Sequence, residues 1–422
     1  MSRVKIITGN HAAAYACMHA KVGVVAAYPI TPQSPVVEKI SQFVEKGLLP
    51  NTQFVMVESE QSAIAAVIAA SATGSRVFTA SSANGIMYMA ELLPWAAGNR
   101  LPVVMCDVTR ALGAPWSVWS EHGDIFTVRD CGWITMFSED NQEIYDTTLL
   151  AYRIAEDPSV YLPAFNAFDG YILSHTIMPV KLEDQETVDQ FLPPLRHHIN
   201  LADFNNVKGV SPVTIPNTID RGKLGVAPGY YEFRFSMQRA LEKSISTIKK
   251  ANKEFSEVFG RSYGNGLYKK YKMDDAEVAI LAAMSVAAES RLAVDELREK
   301  GIKAGLVSLK TFRPFPGKEL QKVFKDIANV VVFERAVGYG FIGAIEAELR
   351  ASLYKSTAQP DIKGYVLGLG GRDIKRAQIV YGVEKALKSK PMKDRDIKVE
   401  FLGMELDNLA ALKKNNDKKK ET

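Results

Sequence analysis

Between residues 1 and 180, apolar strand-like runs alternate with helical segments, and this alternation limits the fold more than any other feature of the chain. Residues 22–28 read as a buried strand. Residues 34–46 have helical periodicity, with Ser34 as N-cap and Pro35 at the first helical position. Residues 53–58 form a short strand, 60–73 a helix rich in Ala and Ile, and 75–81 a strand. A helix is expected over 90–99 and strands over 101–108 and 159–165. Strands joined through helices need right-handed crossovers, which give a parallel sheet covered on both faces. The expected fold class is therefore α/β.

From 181 to about 230 the pattern fades. Pro193, Pro194, Pro212, Pro216 and Pro228 punctuate a stretch with little periodicity, followed by a charged amphipathic helix over 236–259. A second alternating pattern starts near Ala276, with strands at 278–283, 304–309, 330–334 and 365–369 and a helix at 287–300. The expected organisation is a first α/β domain at 1–180, a connector at 181–275, a second α/β domain at 276–405 and a disordered tail at 406–422. Lys413, Lys414, Lys418, Lys419 and Lys420 make that tail a solvated basic terminus.

A length of 422 residues suits two or three such domains. The 52 basic and 48 acidic residues leave a net charge of +4, which is too balanced to argue for nucleic acid. Cys17, Cys106 and Cys131 are the three cysteines, and none are spaced C-x-x-C. Iron–sulfur clusters need several closely spaced thiolates, so the chain should carry no cluster or other metal of its own. Sparse, unpaired cysteines favour a reducing compartment. The first residues lack a signal-peptide profile, and no apolar run reaches the roughly 18–20 residues of a membrane helix. These features place the protein in the cytoplasm, with no membrane partner.

Chemistry concentrates where the first strands end, because ligands of open parallel sheets bind beyond their carboxyl edges. Tyr28-Pro29-Ile30-Thr31-Pro32 is a stiff, proline-bracketed loop at such an end. Glu60 opens the small-residue helix about one crossover later. This pairing suits the aminopyrimidine of thiamine diphosphate (TPP), with the Glu60 carboxyl sharing a proton with its N1′. Glu58 competes for the role, but Glu60 is preferred because it begins the helix. Arg110 ends the 101–108 strand, and a guanidinium suits a carboxylate through two parallel N–H bonds. The loop beyond it carries Trp116, Trp119 and His122, the last an acid, a base or a hydrogen-bonded turn residue. Phe168-Asp169-Gly170-Tyr171 lacks the first glycine of a diphosphate–magnesium motif, and Asn200 stands alone, so Asp169 reads as a structural turn residue. Gly368-Leu369-Gly370-Gly371-Arg372-Asp373 lacks the ending of a phosphate loop and reads as a packing loop against the first domain or a partner.

These strings, with Phe312-Arg313-Pro314-Phe315, occur in an order that resembles the alpha subunit of multi-subunit 2-oxoacid:ferredoxin oxidoreductases, of which the pyruvate enzyme is commonest. The resemblance covers about residues 5–390. It implies a TPP-type pyrimidine-binding domain plus a transketolase C-terminal-like domain. It implies oxidative decarboxylation of a 2-oxoacid to acyl-CoA and CO2, reversibly, with electrons passing to ferredoxin. TPP would be shared with a beta subunit holding the diphosphate and Mg2+. The [4Fe-4S] clusters would lie on partners, including gamma and delta-like subunits, and coenzyme A would be co-substrate. The chain alone would be inactive. Carried over by motif, Tyr28, Pro29 and Ile30 hold the pyrimidine, Thr31 bonds the substrate or its adduct, Glu60 activates the cofactor and Arg110 binds the substrate carboxylate. Ser120-Glu121-His122-Gly123-Asp124 departs from the usual Gly-Asp-His, and Trp116 and Trp119 are bulkier than usual. Pyruvate is the first expectation, with branched-chain and aryl 2-oxoacids such as phenylglyoxylate open beside it, as is a non-catalytic structural subunit.

Overall fold

The computed structural model describes residues 3–196, 230–389 and 399–404. The first domain supplies β1 (Arg3–Thr8), β2 (Val24–Ala27), β3 (Gln53–Met56), β4 (Val77–Ser81), β5 (Val104–Thr109), β6 (Ile134–Phe137), β7 (Ala164–Asp169) and β8 (Ile177–Leu182). The second supplies β9 (Tyr268–Tyr271), β10 (Val278–Ala283), β11 (Ala304–Leu309), β12 (Thr311–Arg313), β13 (Asn329–Glu334), β14 (Asp361–Val366) and β15 (Glu400–Phe401). A seven-stranded sheet runs β12-β6-β7-β5-β4-β2-β3, and a six-stranded sheet runs β15-β14-β13-β10-β11-β9. Both are parallel except for β12, which pairs antiparallel with β6, and β9, which pairs antiparallel with β11. β1 and β8 form a separate antiparallel pair.

The central strands are buried on both sides, which is why they read as unbroken apolar runs. On one face of the first sheet, Phe78, Val104 and Val108 pack with the alanines of the helix Gly9–His19 and with Ile144 and Leu149 of the helix Asn141–Ala155. On the other face, Val77 and Met105 meet Ile64 and Val67 of the helix Glu60–Ala72 and Ile86 of the helix Ala83–Met89. This second core continues through Phe126, Phe137 and Phe312 into the second sheet. The helix Tyr230–Phe259 lies on the first domain, where Phe255 and Phe259 pack against Phe191, and the following Arg261 pairs with Asp146 and Glu183.

Several boundaries differ from the sequence expectation, and proline accounts for two. The strand expected at 159–165 begins only at Ala164, because Pro158 and Pro163 remove ladder donors and Tyr161 takes φ +44°. The strand expected from 101 begins at Val104, past Pro102. The helix expected over 90–99 is two helices, Ala83–Met89 and Leu93–Gly98. The amphipathic helix starts at Tyr230 instead of 236, and the last apolar run forms β14 at 361–366 instead of 365–369. Within the span expected as connector, the helix Gln185–Phe191 packs on the first domain and β9 joins the second sheet. β12, within the second domain's span, crosses back to the first sheet. Asn200, Pro212, Pro216, Pro228 and the basic tail lie outside the described residues.

A buried ion cluster locks the domains together. Lys310 Nζ lies 2.6 Å from Glu139 and 2.7 Å from Glu143, and Ser308 and Arg291 also bond Glu139. Glu139 and Glu143 belong to the first domain, and the three donors to the second.

Candidate active site

β2, β4, β5 and β7 end side by side, and their exits place the site. After β2, the loop from Tyr28 to Pro32 is held from three directions. The Arg110 Nη1 donates to the Thr31 carbonyl at 2.5 Å, Asn10 Nδ2 donates to the Pro32 carbonyl at 2.8 Å, and the Gln33 amide turns back onto the Ile30 carbonyl at 2.8 Å. Tyr28, Pro29 and Thr31 remain exposed and Ile30 half-buried, so the loop is fixed while its side chains face outward.

Glu60 is the first residue of its helix, which Ser59 caps by accepting the Ser62 amide at 3.1 Å. Its side chain is buried (8% exposed), and among the described residues no N–H or O–H donates to the carboxylate. A Cβ at Gly85 would collide with both Glu60 Oε1 and Ser81 Oγ, so glycine is what lets the next helix close over Glu60. Glu58 is exposed and already bonded by Ser62 Oγ at 2.6 Å, which holds its carboxyl below the usual range. The Glu60 carboxylate oxygens stay accessible at the sheet edge, where a ligand can supply a donor.

The Arg110 guanidinium is buried beside the Thr31 loop, and its Nε has no partner among the described residues. Burial lowers its proton affinity, while Asp124, Tyr171 and Glu60 favour the charged form. Thr31, Glu60 and Arg110 are thus brought to one place.

Trp116 and Trp119 are 77% and 51% exposed. The Trp119 ring lies 4.5 Å from Tyr171, which stacks on His175. The glycine string of the second domain packs against this loop. Gly371 N donates to Ser120 O at 2.8 Å, Gly370 N donates to Glu121 at 3.2 Å, and Ser117 Oγ donates to Gly370 O at 3.3 Å. Gly371 has φ +77°, and a Cβ there would run into Trp119. Gly371→Ala should therefore cost about 1 kcal/mol or more for the left-handed backbone alone and displace the indole. The urea midpoint and tryptophan emission should both move; unchanged emission would mean the loop does not rest on Gly371.

His122 is not brought to the tryptophans' exposed side. It is fully buried, with Nε2 2.9 Å from Asp169 Oδ1 and its amide on the Arg335 carbonyl. Asp169 is more than a turn residue. It ends β7, accepts from Ser120 Oγ at 2.6 Å, and caps the second domain's helix Met284–Glu299 through the Ser285 amide at 2.9 Å. Arg335 Nη1 stands 3.4 Å away. Burial opposes its charge, but His122 and Arg335 outweigh burial and hold its carboxyl far below the usual range. Oδ1 is taken by Ser120 and His122 of the first domain and Oδ2 by Ser285 of the second, so Asp169 ties the two together. Sequence reasoning also missed the Asp107–Asp124 acid pair, whose only local signal is an aspartate inside the apolar β5. Among the described residues no group of three His, Cys, Asp or Glu could hold a metal, and no helix is long and apolar enough to cross a membrane.

Residues 15–253 match the family described as pyruvate flavodoxin/ferredoxin oxidoreductase, thiamine diphosphate-binding, and residues 276–379 match pyruvate:ferredoxin oxidoreductase core domain II. The chain belongs to the 2-oxoacid:ferredoxin oxidoreductases. Its 2-oxoacid:ferredoxin oxidoreductase relatives include the ketoisovalerate oxidoreductase subunit VorA of Pyrococcus abyssi, 44% identical over 87% of this chain and 90% of that protein. The pyruvate synthase subunit PorA of Methanocaldococcus jannaschii is 41% identical over 92% of this chain and 96% of its own. Among solved structures, the 2-oxoglutarate:ferredoxin oxidoreductase from Magnetococcus marinus aligns with TM-score 0.68 at 18% identity, covering 91% of this chain and 65% of that one. A split-gene transketolase aligns with TM-score 0.54 at 14% identity, over 91% of this chain and 99% of its own. Both likenesses concern fold and agree with a pyrimidine-binding domain followed by a transketolase C-terminal-like domain. The chain is an oxidoreductase subunit of this family.

Proposed function

We propose that this chain supplies the aminopyrimidine half of a TPP site in a pyruvate:ferredoxin oxidoreductase, which decarboxylates pyruvate oxidatively to acyl-CoA and CO2 and runs reversibly. The observation that carries this reading is the largely buried Glu60, whose carboxylate meets no donor among the described residues, at the same sheet edge as Thr31 and Arg110. The exposed loop of Tyr28, Pro29 and Ile30 offers a stiff seat for the pyrimidine. Glu60 shares a proton with N1′ of the pyrimidine. Arg110 receives the substrate carboxylate, Thr31 offers its hydroxyl to the reacting centre, and Trp116 and Trp119 bound the group beyond the 2-oxo carbon. Bound there, TPP supplies the electron sink that lets CO2 leave.

The diphosphate and Mg2+ belong to a beta subunit in this reading, because Asp169 is committed to the domain junction. The [4Fe-4S] clusters, the gamma and delta-like subunits and ferredoxin take the electrons, and coenzyme A takes the acyl group. The complex works in the cytoplasm. A branched-chain 2-oxoacid is the second reading, favoured by the 44% identity to a ketoisovalerate enzyme subunit.

Purified alone, the chain should contain no iron, bind TPP weakly in calorimetry and oxidise no 2-oxoacid. Assembled with its partner subunits, it should reduce ferredoxin with pyruvate and TPP. Robust oxidation by the isolated chain would refute the divided site, and a higher kcat/KM for 2-oxoisovalerate than for pyruvate would select the second reading.

A further inference from the structure

Beneath Arg110 lies a pair of fully buried acids, Asp107 on β5 and Asp124 in the short helix Gly123–Thr127. Asp124 Oδ2 accepts two backbone N–H groups, from Arg110 and from Ala83, each at 2.9 Å, and Oδ1 accepts the Ile125 amide at 2.9 Å. The two amides come from different strand exits. Arg110 follows β5. Ala83 follows β4 with φ +42°, and Gly85, two residues on, is the glycine pressed against Glu60. Ser82 Oγ bonds the Val108 carbonyl at 2.8 Å and ties the same two exits together. Asp107 abuts Asp124, and among the described residues no hydrogen-bonding partner other than that carboxyl reaches it. Burial, then the neighbouring charge, pushes Asp107 well above the usual carboxylate range, so it keeps its proton and can donate to Asp124. Burial lifts Asp124 less, to about 6, because the three amides stabilise its charge.

We infer that Asp124 is a positioning residue: one buried carboxylate sets the backbone of the arginine that receives the substrate and of the turn that closes over Glu60. Oδ2 takes both functional amides, Arg110's leading to the guanidinium and Ala83's to the turn over Glu60, while Oδ1 takes the Ile125 amide of its own helix. This inference rests on the carboxylate-binding role proposed for Arg110. The protonated Asp107 lets two acids share the space with a single charge, which a pair of ionised carboxylates could not do.

The assembled complex tests this with Asp124→Ala, Asp124→Asn and Arg110→Lys, read by 2-oxoacid kinetics and by hydrogen exchange of peptides containing Ala83 and Arg110. Asp124→Ala should speed exchange in both peptides and lower kcat/KM about ten- to a hundredfold, mainly through KM, because small misplacements of binding groups have effects of that order. Asp124→Asn should restore part of the loss, since its amide oxygen still accepts both N–H groups and its NH2 can donate to Asp107, although the NH2 cannot accept the Ile125 amide. If Arg110→Lys raises KM while Asp124→Ala leaves it unchanged, the positioning role is overturned and the reading of Arg110 stands. If Arg110→Lys leaves KM unchanged, it is the reading of Arg110 that fails. Should Asp124→Ala not assemble, the wild-type complex still decides: amides of Ala83 and Arg110 exchanging as fast as exposed ones would overturn the inference.

Discussion

Glu60→Gln in the assembled enzyme should lower kcat by roughly 10²–10⁴-fold, the span usual for removing acid–base help. The substitution keeps the size of the side chain. No protein donor is lost with it, because none among the described residues reaches the carboxylate. Folding and subunit assembly should therefore be unaffected, and the whole effect should appear in turnover. Glu58→Gln serves as the comparison. That side chain is exposed and, among the described residues, bonds Ser62 alone, so its loss should leave turnover near wild type. Normal turnover in Glu60→Gln would remove the residue from the reaction.

The second large effect concerns stability. Lys310→Met should cost about 3–5 kcal/mol, the usual consequence of removing one partner of a buried pair and stranding the other. Here Glu143 loses its cation, while Glu139 keeps Arg291 and Ser308. The pH dependence carries the sign. Burial lifts Glu143 to about 7 even with the lysine present. Without that cation both acids shift upward, Glu139 from below the usual range and Glu143 from about 7, so Glu143 holds its proton more tightly in the folded protein than in the unfolded chain. Stability gained by binding that proton is fully present below the unfolded carboxylate range and is lost as pH rises through the variant's folded value, which lies above the wild type's. The deficit of the variant should therefore be smaller at pH 5 than at pH 8 when urea midpoints are compared with wild type. A constant deficit, or none, would mean the cluster does not hold the domains together.

The sequence revealed most where structure is local. β2, β4, β5, β10 and β11 are buried on both faces, and continuous apolar runs announce such strands directly. The Tyr28–Pro32 loop and Glu60 were legible for a similar reason: each sits at the exit of a readable strand or the start of a readable helix. What stayed hidden depends on partners far away in the chain. Asp169 looks like a turn residue until Ser285, 116 residues later, is seen donating to it. Asp124 gives no hint that it binds the amide of Ala83, 41 residues earlier. His122 stands in a promising string, yet it is drawn inward by Asp169, and no periodicity encodes that choice. β12 is three residues long and returns to the first sheet, a pairing that follows from the docking of two domains and from no pattern in its own sequence.

The central claim is that Glu60 controls a proton on the cofactor. Exchange of the C2 proton of TPP bound to the assembled complex, followed by quenched-flow NMR, reads that control before any substrate is present. Wild type and Glu58→Gln should exchange at the same fast rate, and Glu60→Gln should be slower by roughly 10²-fold or more. Exchange in Glu60→Gln at the wild-type rate, or slowing confined to Glu58→Gln, would contradict the account.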